Sequence, residues 1–251
     1  MTTTDMTTRE AMSLVFGGLE RQGPGDEALA RSILRRLPGL PANPVIADLG
    51  CGTGSGSLVL ADELDAVVRC VDVNGSFLAT LQHWAEAAGL SPLIRTVEAD
   101  MASRNWLDVP LDLLWSEGAA YALTFEAALR AWRPMLAPSG LAVISEMSWF
   151  EEEHPVEAER FWRDAYPAMA SEADNRAAAA AEGYRVLATH RLSNEAWWRS
   201  YYDPLSEKLD ELSGRGSEAL RAVIAETRQE IELFRRHGDA YGYAFYVLQA
   251  V

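Results

Sequence analysis

Two short stretches carry residue types and spacings that could do chemistry. In "DLGCGTGSG", residues 48–56, glycines at 50, 52 and 54 follow an acid, Asp48. Spaced glycines let a ligand approach the backbone closely, and a helix that starts behind them offers its unpaired N–H groups to that ligand. A dinucleotide fingerprint needs G-x-G-x-x-G, but Ser55 stands three residues beyond Gly52, so the spacing here is D-x-G-x-G-x-G. The second stretch, "WSEGAAY" at 115–121, sets Glu117 directly behind the apolar run "LDLLW". A carboxylate buried there is costly unless it is paired, hydrogen-bonded or protonated. Glu117 therefore has a structural partner, for which Arg21 is a candidate, or it meets a ligand.

The elements that position these residues follow from the apolar pattern. "RQGPGD", 21–26, forces a turn between N-terminal helices, and Asp26 is placed to cap the helix "EALARSILRRL". From Val45 strands and helices alternate. Strands are predicted at "VIADLG", "VVRCVD", "LIRTVEA", "LDLLWS" and, after a turn "APSG", at "LAVISEM". Such βαβ alternation with apolar strands predicts a parallel sheet with helices on both faces. Beyond Glu146 the rhythm changes to helices "PVEAERFWRDAY" and "ADNRAAAAAEG", a strand "YRVLATHRL", a long helical stretch that is aromatic at its start, and a last strand "YGYAFYVLQA". The helices between the last two strands, with the N-terminal one, are expected to cap the strand ends.

Composition narrows the function classes. The 251 residues, 49% of them hydrophobic, suffice for one large α/β domain with a helical insertion. A formal net charge of -15 disfavours a nucleic-acid partner, since such affinity comes from Lys and Arg neutralising phosphates; a small molecule is expected instead. No apolar stretch is longer than a strand, and "MTTTDMTTREAM" has neither the charged region nor the apolar run of a signal peptide, so no membrane partner is expected and the chain reads as cytoplasmic. Cys51 and Cys70 form no CxxC and no Cys/His cluster, and no metal site is indicated.

The glycine stretch resembles motif I of the class I S-adenosylmethionine-dependent methyltransferases, whose loop wraps the methionine part of the cofactor. The resemblance implies a Rossmann-like, seven-stranded, mostly parallel sheet with the last strand antiparallel. It implies one methyltransferase domain over 1–251, with an N-terminal helical lid at 1–44, a cofactor-binding core at 45–146 and a C-terminal half with cap insertions at 147–251. Asp72, ending the second strand, would accept the ribose hydroxyls, with Val73 beside it. "EADM", 98–101, would hold adenine through the Asp100 side chain and the Met101 N–H. Asp48, Gly50, Cys51, Gly52, Gly54, Ser116 and Arg21 complete the implied cofactor set.

"RQGPG", "WSEGAAY", "SEMSWF", "FWRDAYP" and "YGYAFY" together resemble a subfamily of small-molecule methyltransferases, from about residue 20 to the end; Ala120, Ala122 and Met147 depart from its pattern. In this fold the ends of the fourth and fifth strands flank the transferable methyl group. Glu117 and "SEMSWF" would then face the acceptor, Glu117 either positioning it or taking its proton as methyl passes to O, N or C. Tyr121 and Trp149 are the expected pocket aromatics, and His154 is the histidine nearest that edge. The remaining aromatics beyond the fifth strand, such as Trp197 and Tyr202, suit the core of the cap, and an exposed aromatic cap would suit a homodimer. Two other readings stay open: a module that binds S-adenosylmethionine without catalysis, and an NAD(P)-dependent oxidoreductase, which the missing glycine at 55 opposes.

Overall fold

A computed structural model describes residues 6–214 and 217–251; residues 1–5 of the expected lid lie outside the described residues. The chain begins with α1 (Thr8–Phe16) and α2 (Glu27–Leu34), then builds β1 (Ile46–Leu49), α3 (Ser55–Leu64), β2 (Val68–Asp72), α4 (Gly75–Ala87), β3 (Ile94–Glu98), β4 (Leu111–Ser116), α5 (Phe125–Trp132) and β5 (Leu136–Trp149). It continues through α6 (Val156–Ala165), β6 (Ala170–Ser171), α7 (Glu172–Ala181), β7 (Tyr184–Arg191), α8 (Asn194–Trp197), a π-helical turn at Trp198–Tyr202, α9 (Asp203–Leu212), α10 (Glu218–His237) and β8 (Tyr241–Ala250). Local chemistry sets the helix starts. Asp26 accepts the N–H groups of Ala28 and Leu29 to cap α2, Asn74 caps α4 through Ser76, and Thr7 and Glu10 cap α1 reciprocally.

The strands lie in one sheet in the order β3-β2-β1-β4-β5-β8-β7, with the two-residue β6 added beside the end of β5. The β1–β5 block is parallel and β8 runs antiparallel to both β5 and β7. Seven strands match the sequence expectation, and β6 is the addition. Alternate residues of each strand enter opposite layers: Ile46 and Val68 pack towards α1–α4, whereas Ala47, Leu49 and Val71 pack towards α5 and α7. Each fully buried Leu, Ile or Val is worth about 1.5–3 kcal/mol, so the two layers hold the strand ends rigidly in register.

One local expectation fails. "APSG" is not a turn ahead of the fifth strand but an irregularity inside β5, where the pairing jumps from Leu111↔Leu136 to Leu113↔Leu141 and Ser139 takes φ 62°. The extra residues bend the strand without ending it. At the other end Ser116 pairs with Ile144 while β5 continues to Trp149, so β5 outruns β4 exactly where a site could form beside the "WSEGAAY" loop.

Candidate active site

The C-terminal ends of β1, β2, β3 and β4 open on one cavity of about 470 Å³. This is the side on which parallel α/β sheets bind ligands, because the loops there diverge from a rigid edge. The glycine stretch bridges β1 and α3. Gly54 is the N-terminal cap of α3 at φ 90°, and a Cβ there would overlap Leu81 of α4. Gly50, at φ 68°, presses against Ala119, so a side chain would push the "WSEGAAY" loop out of place.

The acids take distinct positions. Asp72 accepts the Gly52 N–H at 2.9 Å and the Asn74 N–H at 2.8 Å, which ties the second strand to the glycine turn. Asp100 accepts the Ala102 N–H at 2.8 Å, and the Met101 carbonyl accepts from Trp132 Nε1 at 3.0 Å. Asp48 is buried and accepts the Ser57 hydroxyl at 2.6 Å. Burial, with the nearby Glu117 and Asp72 charges adding to it, pushes its carboxyl up to about 7, despite the Ser57 hydrogen bond.

Glu117 meets three neighbours. Its Oε2 lies 3.2 Å from Arg21 Nη1, its Oε1 accepts from Trp115 Nε1 at 2.8 Å, and a Cβ on Gly56 would stand 3.1 Å from Oε1. Arg21 Nη2 is buried and has no hydrogen-bond partner. The segment between α1 and α2 is held in place: Thr53 donates its hydroxyl to the Glu20 carbonyl, Gly25 donates its N–H to Ser200, and Lys208 donates to the Gly17 carbonyl.

Residues 46–140 match a family described as "Methyltransferase domain". With the strand order and this cavity already in place, the match decides the class of the core. Residues 46–140 carry a methyltransferase domain. Trans-aconitate 2-methyltransferase of Escherichia coli O1:K1 / APEC is 32% identical over 152 residues, 59% of this chain and 55% of that protein, so the chain matches about half the length of such curated relatives. The crystal structure of YjhP from E. coli superposes with a TM-score of 0.80 at 19% identity, over 96% of this chain and 99% of the other. A SAM-dependent methyltransferase from Thiobacillus denitrificans, solved in complex with S-adenosyl-L-homocysteine, gives 0.77 at 19% identity, over 98% and 100%. At that identity these two likenesses establish the fold.

Of the residues expected from sequence, the fold brings Arg21, Asp48, Gly50, Cys51, Gly52, Asp72, Val73, Asp100, Met101, Glu117 and Tyr121 to the cavity wall. Four stand elsewhere. Gly54 packs on Leu81 behind the loop, and Ser116 is buried with its hydroxyl on the Leu49 carbonyl. Trp149 and His154 stack on each other with ring centroids 4.1 Å apart, and Trp149 also meets Tyr241 edge-on, so β5 runs on past the cavity and turns both rings into cap packing. Trp197 and Tyr202 pack on Phe234, as the core of the cap. Burial pushes the Cys51 thiol far up, which leaves it un-nucleophilic.

Other residues were not singled out from sequence. Gly56 was legible as a fourth glycine in the stretch, and Gln22 to Pro24 as part of the Gly-Pro-Gly turn. Glu146 carried the same signal as Glu117, a carboxylate inside an apolar strand. Among the described residues no group of three or more His, Cys, Asp and Glu side chains could hold a metal ion, and no helix is long and apolar enough to cross a membrane.

Proposed function

We propose that this chain is one methyltransferase domain, with lid and cap, that transfers the methyl group of S-adenosylmethionine to a small-molecule acceptor and releases S-adenosylhomocysteine. The observation that carries this reading is the convergence of Asp72, Asp100 and the unpaired Arg21 Nη2 on a single cavity built on the glycine loop. A carboxylate oxygen has two lone pairs, so Asp72 can hold Gly52 and Asn74 and still accept both hydroxyls of a ribose. Asp100 and the Met101 N–H suit an adenine edge. The buried Arg21 Nη2 lacks an acceptor that the carboxylate of an amino acid would supply, and Asp48 stands ready for the corresponding ammonium.

When bound, the cofactor supplies a sulfonium, whose methyl group needs only in-line approach of a nucleophile. The protein's share is then placement and exclusion of water, and placement alone is worth several kcal/mol. Glu117 has both oxygens engaged, by Arg21 and Trp115, and is assigned the task of holding Arg21 in position rather than of taking a proton from the acceptor. Trans-aconitate is not carried over as the acceptor, because only about half of trans-aconitate 2-methyltransferase is matched. A cytoplasmic setting agrees with two free cysteines, one of them fully buried.

Calorimetric titration with S-adenosylhomocysteine, with NAD as control, tests the reading. Saturable binding of the homocysteine compound alone is expected. Absence of binding overturns the proposal, and binding of NAD alone would move the chain to nicotinamide chemistry.

A further inference from the structure

Resting on that reading, we propose that Glu146 and Tyr166 form the acceptor-anchoring pair of this domain and that the acceptor is a small amine. Glu146 lies on β5 just beyond the paired end of β4, is 2% exposed, and its Oε1 has no hydrogen-bond partner. The hydroxyl of Tyr166, in the segment after α6, is likewise buried and unpartnered. The two groups lie against each other and interact by a loose side-chain hydrogen bond as well as by charge, and the backbone at Met147 and Phe125 approaches them. Buried polar atoms in native proteins are almost always satisfied, so a buried Glu146 oxygen with only the loosely placed Tyr166 hydroxyl beside it keeps lone pairs for a further donor.

The pair lies behind the cavity wall and adjoins it through Tyr121. Tyr121 lines the cavity wall, meets Tyr166 edge-on at 6.3 Å and senses the Glu146 charge. Gly118, also on the wall, donates its N–H to Ser145, the neighbour of Glu146, at 2.8 Å. The Tyr243 hydroxyl stands against Gly118 on the same side, where a Cβ would meet it at 3.1 Å.

The chemistry of the lining selects the charge of the ligand. Among the described residues of the cavity wall Arg21 is the one cation, with Nη1 held by Glu117 and Nη2 assigned above to the carboxylate of the cofactor, whereas Asp48, Asp72 and Asp100 are all acids. Glu230, half-buried with the Tyr202 hydroxyl donating to it at 2.7 Å, adds a further carboxyl within electrostatic range of Tyr121 and Tyr243. Such a site repels a polycarboxylate and favours an ammonium, which would also find the ring faces of Tyr121 and Tyr166.

An amine must release a proton before it attacks. The proton passes from the ammonium to the Glu146 carboxylate, the freed lone pair forms the new C–N bond, and the C–S bond breaks with its electron pair remaining on sulfur. The product leaves as an N-methylammonium ion, and Glu146 returns its proton to water. Burial raises the Glu146 carboxyl to about 8, so it is the carboxylate that takes the proton towards and above pH 8, or when the ligand ammonium beside it favours its ionised form.

The test compares two probes of one shape and opposite charge, benzylamine and phenylacetate, titrated into the full chain saturated with S-adenosylhomocysteine. Benzylamine is expected to bind at least about tenfold more tightly than phenylacetate, and E146Q to lose about tenfold or more of the benzylamine affinity. E146Q should keep its affinity for S-adenosylhomocysteine, which a general disruption of the fold would not spare. If E146Q does not fold, Y166F carries the comparison, with a several-fold loss for benzylamine alone. Equal or tighter binding of phenylacetate, no binding of benzylamine into the millimolar range, or an unchanged affinity in both variants would overturn the proposal. If the homocysteine compound itself does not bind, the methyltransferase reading fails, and the same pair of probes on the ligand-free protein still decides the amine site.

Discussion

Arg21 Nη1 lies 3.2 Å from Glu117 Oε2, which ties the segment ahead of α2 to the end of β4 across the cavity. Both side chains are nearly buried, at 12% and 10% exposure, so salt screens the pair weakly and loss of one partner strands the other charge. Glu117→Gln is expected to weaken S-adenosylhomocysteine binding about tenfold, with turnover falling in the same proportion. Calorimetry beside a turnover assay checks this. Unchanged cofactor affinity with a large loss of turnover would instead make Glu117 an acceptor contact.

Asp72 holds the glycine turn through two backbone N–H groups, and hydrogen bonds to a charged group are worth about 1.5–3 kcal/mol each. Asp72→Ala removes both bonds and the proposed ribose contact together. Affinity for S-adenosylhomocysteine should drop about a hundredfold and the melting temperature by several degrees. Retained affinity would detach Asp72 from the ligand.

Gly54 combines a left-handed backbone with contact against Leu81. In Gly54→Ala the left-handed conformation costs roughly 1–2 kcal/mol and the overlap roughly 1–3 kcal/mol more. Adding Leu81→Ala should relieve the overlap but not the backbone strain, so a denaturant melt of the double variant is expected to recover only part of the loss, after allowance for the cavity that Leu81→Ala alone creates. Full recovery would show that φ at this position carries no cost.

The two raised carboxyls set a pH dependence. Asp48 and Glu146 keep their protons in the folded chain up to about 7 and about 8, whereas in the unfolded chain they release them near ordinary carboxylate values. Between pH 5 and 8 the folded state thus binds more protons, and stability falls as pH rises through that window. Melting curves should show the fall, and E146Q should be more stable than the parent at pH 8 by on the order of 3 kcal/mol, a gain that shrinks towards pH 5. A ligand ammonium beside Asp48 favours the ionised form, so S-adenosylhomocysteine should bind more tightly at pH 8 than at pH 6 and release a proton on binding at pH 6. A flat binding profile in the parent would remove Asp48 from contact with the ligand.

Much of this was legible before any coordinates. The strand ends at Asp72 and Ser116 and the whole of β8 fall where the apolar runs stop, because a doubly covered strand must be apolar along its length and polar where it leaves the sheet. The position of Trp149 was harder to read. It depends on how far β5 outruns β4, a property of pairing between strands that no window of sequence contains. Glu146 is a related case: "SEMSWF" as a whole is expected to face the acceptor, but alternation along β5 says only that Glu146 faces one layer, not that it is buried there beside Tyr166.

The sequence alone determined the glycine loop, the acids behind each strand and the βαβ order, because these depend on neighbours a few residues apart whose backbone preferences and apolar period are local. Only the tertiary structure set Glu117 against Arg21. Its partner Arg21 lies 96 residues away in the chain, and the energy of a nearly buried carboxylate is set by the charge that folding brings within a few ångströms of it.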